Sequence, residues 1–179
     1  MAANNNLHVV LGGSGALGGA LVRELAARGE RVRAVNRAGR IDAPAGVEVV
    51  AGDVTDQGDA RRVCTDAAVV YLATNPPYTH QDWAATYPPM MAGAIAGAGA
   101  AGAKLVYADN LYMYAPTDRP LTESLPWAPT TRKGRVRAEV AEVLLTAHRD
   151  GRLRAAIGRA SDFYGPGVVT SVVGDHFFG

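Results

Sequence analysis

The sequence predicts an α/β fold, a doubly wound parallel sheet with helices on both faces, from three observations. Strand-like apolar runs alternate with helix-like segments along the whole chain. The first run, Leu7–Leu11, breaks into Gly12-Gly-Ser14-Gly15-Ala16-Leu17-Gly18 and then into an amphipathic stretch, the order of a strand, a tight turn and a helix. Two later connections are longer than strand-to-helix joints need, and in this architecture sites lie beyond the C-terminal ends of the strands. At 179 residues and 48% apolar content the chain is long enough for one domain with a hydrophobic core and too short for two.

Each element has its own signal. The strand candidates are Leu7–Leu11 and residues 31–35, 47–50, 69–72, 105–107 and 153–157, short runs rich in Val, Leu and Ile. Between them the helical candidates are Ala16–Ala27, closed by Gly29; a short helix over 59–66; one over 90–98; and a long one over 135–149, closed by Gly151. The long loops are 74–87, with Pro76-Pro77, and 109–129, with four prolines. The expected architecture is therefore Rossmann-like, with a dinucleotide-binding domain over 1–167 and a tail over 168–179.

Composition narrows the function classes. The 18 basic and 17 acidic residues are interspersed, which gives no electrostatic footprint for nucleic acid or an anionic membrane. The lone Cys64 excludes an internal disulfide framework, and the opening Met-Ala-Ala-Asn-Asn-Asn lacks the basic and apolar parts of a signal peptide, so a cytoplasmic protein is expected. The apolar stretch 90–103 is short, glycine-rich and followed by Lys104, which reads as a soluble helix and not a membrane span. No His, Cys or carboxylate spacing suggests a metal.

The glycine turn reads as a nucleotide site. Gly12 makes the turn off the strand, Gly15 lets backbone N–H groups approach a pyrophosphate, and Gly18 lets the helix pack closely, with Ser14, Ala16 and Leu17 completing the turn. After the second strand an NAD-binding chain usually carries a carboxylate for the ribose hydroxyls, whereas here Asn36-Arg37 offers a neutral donor and a guanidinium suited to a 2′-phosphate. NADP is the expected cofactor, NADPH preferred over NADH. Gly52-Asp53-Val54 offers an acceptor for the adenine amino group and an apolar surface for its ring, or else only a turn and a helix cap.

Gly12-x-x-Gly15-x-x-Gly18, Gly52-Asp53-Val54, Leu72-Ala73-Thr74, Asp109-Asn-Leu-Tyr-Met-Tyr114 and Arg159-Ala-Ser-Asp-Phe-Tyr164-Gly165-Pro166 together resemble the short-chain dehydrogenase/reductase superfamily, in its extended, epimerase/dehydratase-like branch. The resemblance implies a cofactor wall at Leu72, Ala73 and Thr74, a small-molecule substrate and a homodimer paired through the helices at 90–98 and 135–149. It also implies a Ser or Thr four residues before Tyr114, where Asn110 stands, and a Tyr-x-x-x-Lys pair, which alignment through Glu139 sets at Thr131 and Arg135. A threonine hydroxyl is far too weak an acid to replace the tyrosine, and a guanidinium cannot relay a proton, although Arg135 can still hold the nicotinamide ribose. Substitute acids in the same region are Asp109 and Tyr112, then Tyr107, Tyr114 and Asp162; His80 stands in a loop that can overhang a pocket, and Cys64 reads as core. The family's smaller substrate lobe would follow the sixth strand, where the tail 168–179 reads as its remnant. Three readings stay open: an NADP-dependent oxidoreductase or epimerase-like enzyme with a degenerate triad, a non-catalytic or regulatory NADP-binding protein, and a non-redox cyclase, lyase or isomerase on the same scaffold.

Overall fold

A computed structural model describes residues 6–165 and Val168. The Phe pair of the tail, Pro166 and the N-terminal Met-Ala-Ala-Asn-Asn lie outside the described residues. In chain order the elements are β1 (Leu7–Leu11), α1 (Ala16–Ala27), β2 (Arg31–Asn36), β3 (Glu48–Ala51), α2 (Gln57–Val63), β4 (Ala67–Leu72), α3 (His80–Ala100), β5 (Lys104–Asp109), α4 (Arg132–Arg149) and β6 (Arg154–Arg159). The strands form one six-stranded sheet in the order β3-β2-β1-β4-β5-β6, and every pairing is parallel. The chain thus winds outward in one direction from β1 to β3, crosses back, and winds the other way from β4 to β6, so that the ends of β1 and β4 flank the switch point.

The sheet is buried on both sides, which is why its strands read as near-continuous apolar runs. On one face Val10 of β1 packs with Val22 and Leu25 of α1 and with Val32 and Ala34 of β2. On the other, Val9 and Leu11 join α2, α3 and α4 through Val63, Trp83, Tyr87, Met91, Val140 and Leu144. No helix among the described residues is long and apolar enough to cross a membrane.

The expected strands are all present, with ends shifted by up to two residues, and α1 has the expected bounds. Three helices begin earlier than expected, α2 by two residues, at Gln57, and the other two by more. α4 starts at Arg132 because Thr131 caps it, its hydroxyl accepting from the Gly134 N–H at 2.9 Å. α3 begins at His80, so the expected loop over 74–87 is helical in its second half and His80 is a helical residue. Pro88 and Pro89 hide this start, since each lacks the N–H of an interior helical residue. The carbonyls they leave without a helical partner belong to Ala84 and Ala85, both exposed, where water can serve. A Thr79 cap on Asp82 and the complete burial of Trp83 and Tyr87 outweigh the remaining cost.

The glycines of α3 have a clear use. A Cβ at Gly93 would lie 1.8 Å from the Val54 carbonyl oxygen, and one at Gly97 would lie 2.6 Å from that of Ala60. The close helix approach that the Ala- and Gly-rich stretch allows is therefore made inside the chain, against α2 and the segment before it.

Candidate functional site

The glycine turn sits at the switch point and each of its glycines answers a different constraint. The N–H groups of Gly12 and Gly13 both donate to the Val35 carbonyl, at 2.9 and 3.0 Å, fastening the turn to the end of β2. Gly12 has φ +93°, and a Cβ there would lie 2.8 Å from the Ala73 carbonyl oxygen; at Gly18 a Cβ would lie 2.1 Å from the Gly12 carbonyl oxygen. Gly15 is different, since a Cβ would meet nothing closer than 3.4 Å. It is exposed, as are Ser14 and Leu17, with Ala16 half-buried, and it forms the N-cap of α1. No side chain caps that helix and its first turn holds no acidic residue. The positive end of a twelve-residue helix therefore faces open space at the sheet's switch point, the physical requirement for holding a phosphate.

Around this turn stand the other expected cofactor residues. Arg37 is exposed at the end of β2 and makes no hydrogen bond or ion pair among the described residues, while Asn36 closes the following turn, its amide donating to the Arg40 carbonyl at 2.9 Å. The Asp53 carboxylate accepts from both the N–H and the hydroxyl of Thr55, at 2.9 and 2.7 Å. Val54 is only 8% exposed within the core, which leaves its side chain little surface for an adenine ring. Ala73 donates to the Leu11 carbonyl at 2.9 Å, tying β4 to β1, and Thr74 is half-buried beside it; Leu72 belongs to the core.

At the end of β5 the chain builds a buried ionic cluster. Asp109, fully buried, accepts from Arg137 Nε at 2.8 Å and from Arg159 Nε at 3.3 Å. The Arg137 guanidinium is itself packed among rings, 4.4 Å from the centre of Tyr87 and 5.1 Å from that of Tyr107. Two guanidinium groups close on one buried carboxylate, so the geometry makes Asp109 their shared counter-ion. Asn110 is equally engaged in local structure, its side-chain oxygen accepting from the Tyr112 N–H at 3.1 Å.

The tyrosines are also set against acid chemistry. Tyr112 stacks on Trp83 and shares a hydrogen bond with the Tyr78 hydroxyl; burial first, then that bond, pushes its phenol up to about 12. Tyr107 is buried and its phenol is likewise driven upward by burial. Tyr114 accepts from Arg159 Nη1 at 3.2 Å. A half-buried Asp162 acts on Tyr112 from the far side and accepts from the Phe163 N–H.

Beyond β5 a cavity of about 740 Å³ opens between the 110–131 loop and the first turn of α4. Thr131 lines it, yet the hydroxyl is held as the helix cap. Arg135 lies on the exposed side of α4, whereas the buried stripe is Gly134, Arg137, Val140, Ala141 and Leu144. Arg137 meets the strand end, while Lys133, four residues before it, reaches the segment between β4 and α3, a pair with the spacing of the expected Thr131 and Arg135. Lys133 Nζ donates to the Tyr78 carbonyl at 2.9 Å and sits 3.0 Å from the centre of its ring. Alignment through Glu139 passes over this pair; the periodicity of the helix carries the signal, since Gly134, Arg137 and Val140 recur every third residue on the face that also holds Leu144. His80 lines the same cavity, and Cys64 is buried in the core, as expected from the sequence.

A doubly wound sheet with an open glycine turn at its switch point defines the dinucleotide-fold class of α/β proteins. Within that class the chain belongs to the NAD dependent epimerase/dehydratase family, whose sequence pattern matches residues 8–177. No curated protein matches the chain. Among solved structures, a UDP-galactose 4-epimerase superposes with TM-score 0.82 at 21% identity, covering 93% of this chain and 60% of that one. A dTDP-glucose 4,6-dehydratase from Streptomyces venezuelae, solved with NAD and TYD bound, gives 0.79 at 23%, covering 90% and 57%. A UDP-glucose 4-epimerase from Brucella ovis in complex with NAD gives 0.75 at 18%, covering 88% and 52%. The chain spans between half and about 60% of the length of these structures.

Proposed function

We propose that the chain is an NADP(H)-binding member of its family that acts on a small-molecule metabolite. The carrying observation is the open space over Gly15 at the uncapped N-terminus of α1, with the unpaired Arg37 at the neighbouring strand end. Gly12, Gly13 and Gly18 fix the turn, Ser14, Gly15, Ala16 and Leu17 present its backbone to a pyrophosphate, and Arg37 takes a 2′-phosphate where no carboxylate stands to repel it. Ala73 and Thr74 would border the bound dinucleotide. When bound, the cofactor supplies a hydride acceptor or donor. The structures with NAD, and the nucleotide-sugar names of the similar enzymes, support a nicotinamide cofactor and a small polar substrate.

The proton chemistry differs from that of the family's Ser, Tyr and Lys. Asn110 and Thr131 are engaged as turn and cap, Asp109 is neutralised by two arginines, and the Tyr112 phenol is raised away from neutrality. These placements also favour the second reading, a regulatory or non-redox protein that binds the same cofactor. Calorimetry with NADPH and NADH separates the claims. NADPH is expected to bind more tightly, and Arg37→Ala to narrow the gap by about 1–3 kcal/mol, the range for a charge-assisted hydrogen bond. Equal affinities in the unaltered protein would remove the NADP assignment, and nicotinamide absorbance with added carbonyl compounds then tells turnover from binding alone.

A further inference from the structure

The cavity above the first turn of α4 carries one sign of charge. Four cationic or basic side chains line it, Arg119, Arg132, Lys133 and His80, and no Asp or Glu is among its described lining residues. The rest of the wall combines three threonines, Thr117, Thr130 and Thr131, with apolar and aromatic residues that include Leu111, Pro116, Leu121 and Tyr112. Neither Arg119 nor Arg132 makes a side-chain ion pair or hydrogen bond among the described residues.

Three further features add to the positive field. Lys133 is anchored, its Nζ on the Tyr78 carbonyl and over the Tyr78 ring, yet an ammonium has three donors and this contact uses one. Near it, Arg137 and Arg159 share the carboxylate of Asp109. Lys133 and Arg137 approach one indole, 5.1 and 5.5 Å from the Trp83 ring centre, which brings these two cations to neighbouring positions. The N-terminus of α4, with no acidic residue in its first turn, points its dipole the same way. The Asp162 carboxylate that acts on Tyr112 lies outside the lining.

We propose that this cavity binds a carboxylate or phosphate group on an apolar or aromatic small molecule, with Arg119 and Arg132 on the anion and Lys133 at its inner end. The proposal deepens the functional reading above and rests on it only for taking the bound molecule as substrate. A cavity of this size suits a ligand of several rings.

Simple probes test it. Backbone amide shifts are followed by NMR while the full chain is titrated with benzoate, phenyl phosphate or the neutral benzyl alcohol. The proposal expects benzoate, phenyl phosphate or both to shift the amides of Leu111, Tyr112, Leu121 and Lys133, and benzyl alcohol to bind at least about tenfold more weakly, as the loss of one charge-assisted bond implies. Benzoate alone would identify a carboxylate site and phenyl phosphate alone a phosphate site. Replacing both guanidinium groups, Arg119→Gln with Arg132→Gln, should weaken anion binding by about tenfold or more, while Arg61→Gln on α2 leaves it unchanged. If the double variant does not fold, raising the ionic strength on the unaltered chain supplies the same test, since anion binding must weaken with salt. Equal binding of benzyl alcohol, no binding, salt-independent binding, or shifts confined to residues 13–17 of the glycine turn would each overturn the proposal. NADPH calorimetry on the same samples keeps the two readings apart: lost cofactor binding with intact cavity shifts defeats the cofactor assignment alone.

Discussion

A side chain at Gly15 meets open space, whereas one at Gly18 would overlap the Gly12 carbonyl oxygen at 2.1 Å. The two glycines therefore separate binding from folding. Gly15→Val keeps an allowed extended backbone, φ −73° and ψ 164°, and should leave the thermal midpoint unchanged while abolishing NADPH binding, because its methyl groups fill the space for phosphate. Gly18→Ala should instead destabilise the fold by about 1–3 kcal/mol through overpacking, seen as a shifted denaturation midpoint. The packing role of Gly18 was legible in the sequence, since the spacing of the three glycines states it. The residues at the end of β5 were harder to read, because Asp109 as acid and Asp109 as counter-ion differ only in what α4 and β6 bring beside it. A sequence does not show that Arg137 and Arg159, 28 and 50 positions away, close on one carboxylate.

At the level of elements, local chemistry was a good guide where propensity and packing agree and a poor one where they conflict. The α1 bounds follow from the glycine turn and Gly29, but Pro88-Pro89 broke the reading of α3, whose first turns exist because Trp83 and Tyr87 bury their rings. For α4 the start lay earlier than expected: Thr131 is the cap before the helix, and Arg135 falls on its exposed side. Thr131→Ala should then cost about 0.5–2 kcal/mol of stability by freeing the Gly134 N–H, measured by denaturant unfolding. Any turnover should change by much less than the roughly 10²–10⁴-fold expected for a working general acid.

For the whole molecule, alternation of strand and helix was enough to give the sheet class and its winding, since parallel neighbours joined by helices have few arrangements. Burial of several titratable groups on the two faces of the sheet also sets a common limit on stability. Tyr87 and Tyr112 are raised from about 10 to about 12, Tyr71 and Tyr107 also shift upward, and the Cys64 thiol rises from about 9 to about 12, with burial the leading cause in each. The folded chain keeps protons that the unfolded chain releases, so stability is whole below about pH 9 and is lost as pH rises toward 12. Denaturant midpoints should fall steadily across that window; a flat profile would contradict the burial of these groups.

The Asp109 cluster also has a consequence for how the molecule opens. Its three members come one each from the end of β5, the body of α4 and the end of β6, so withdrawing the end of β5 strands charge in a dry interior. The last β-α-β unit should therefore breathe as one block, its amides sharing a common free energy of opening in hydrogen–deuterium exchange under native conditions. Asp109→Asn should loosen that block throughout while the protection of β1, α1 and β2 stays as it was. The fold would thus carry two parts of different exchange behaviour on one continuous sheet, divided between β4 and β5.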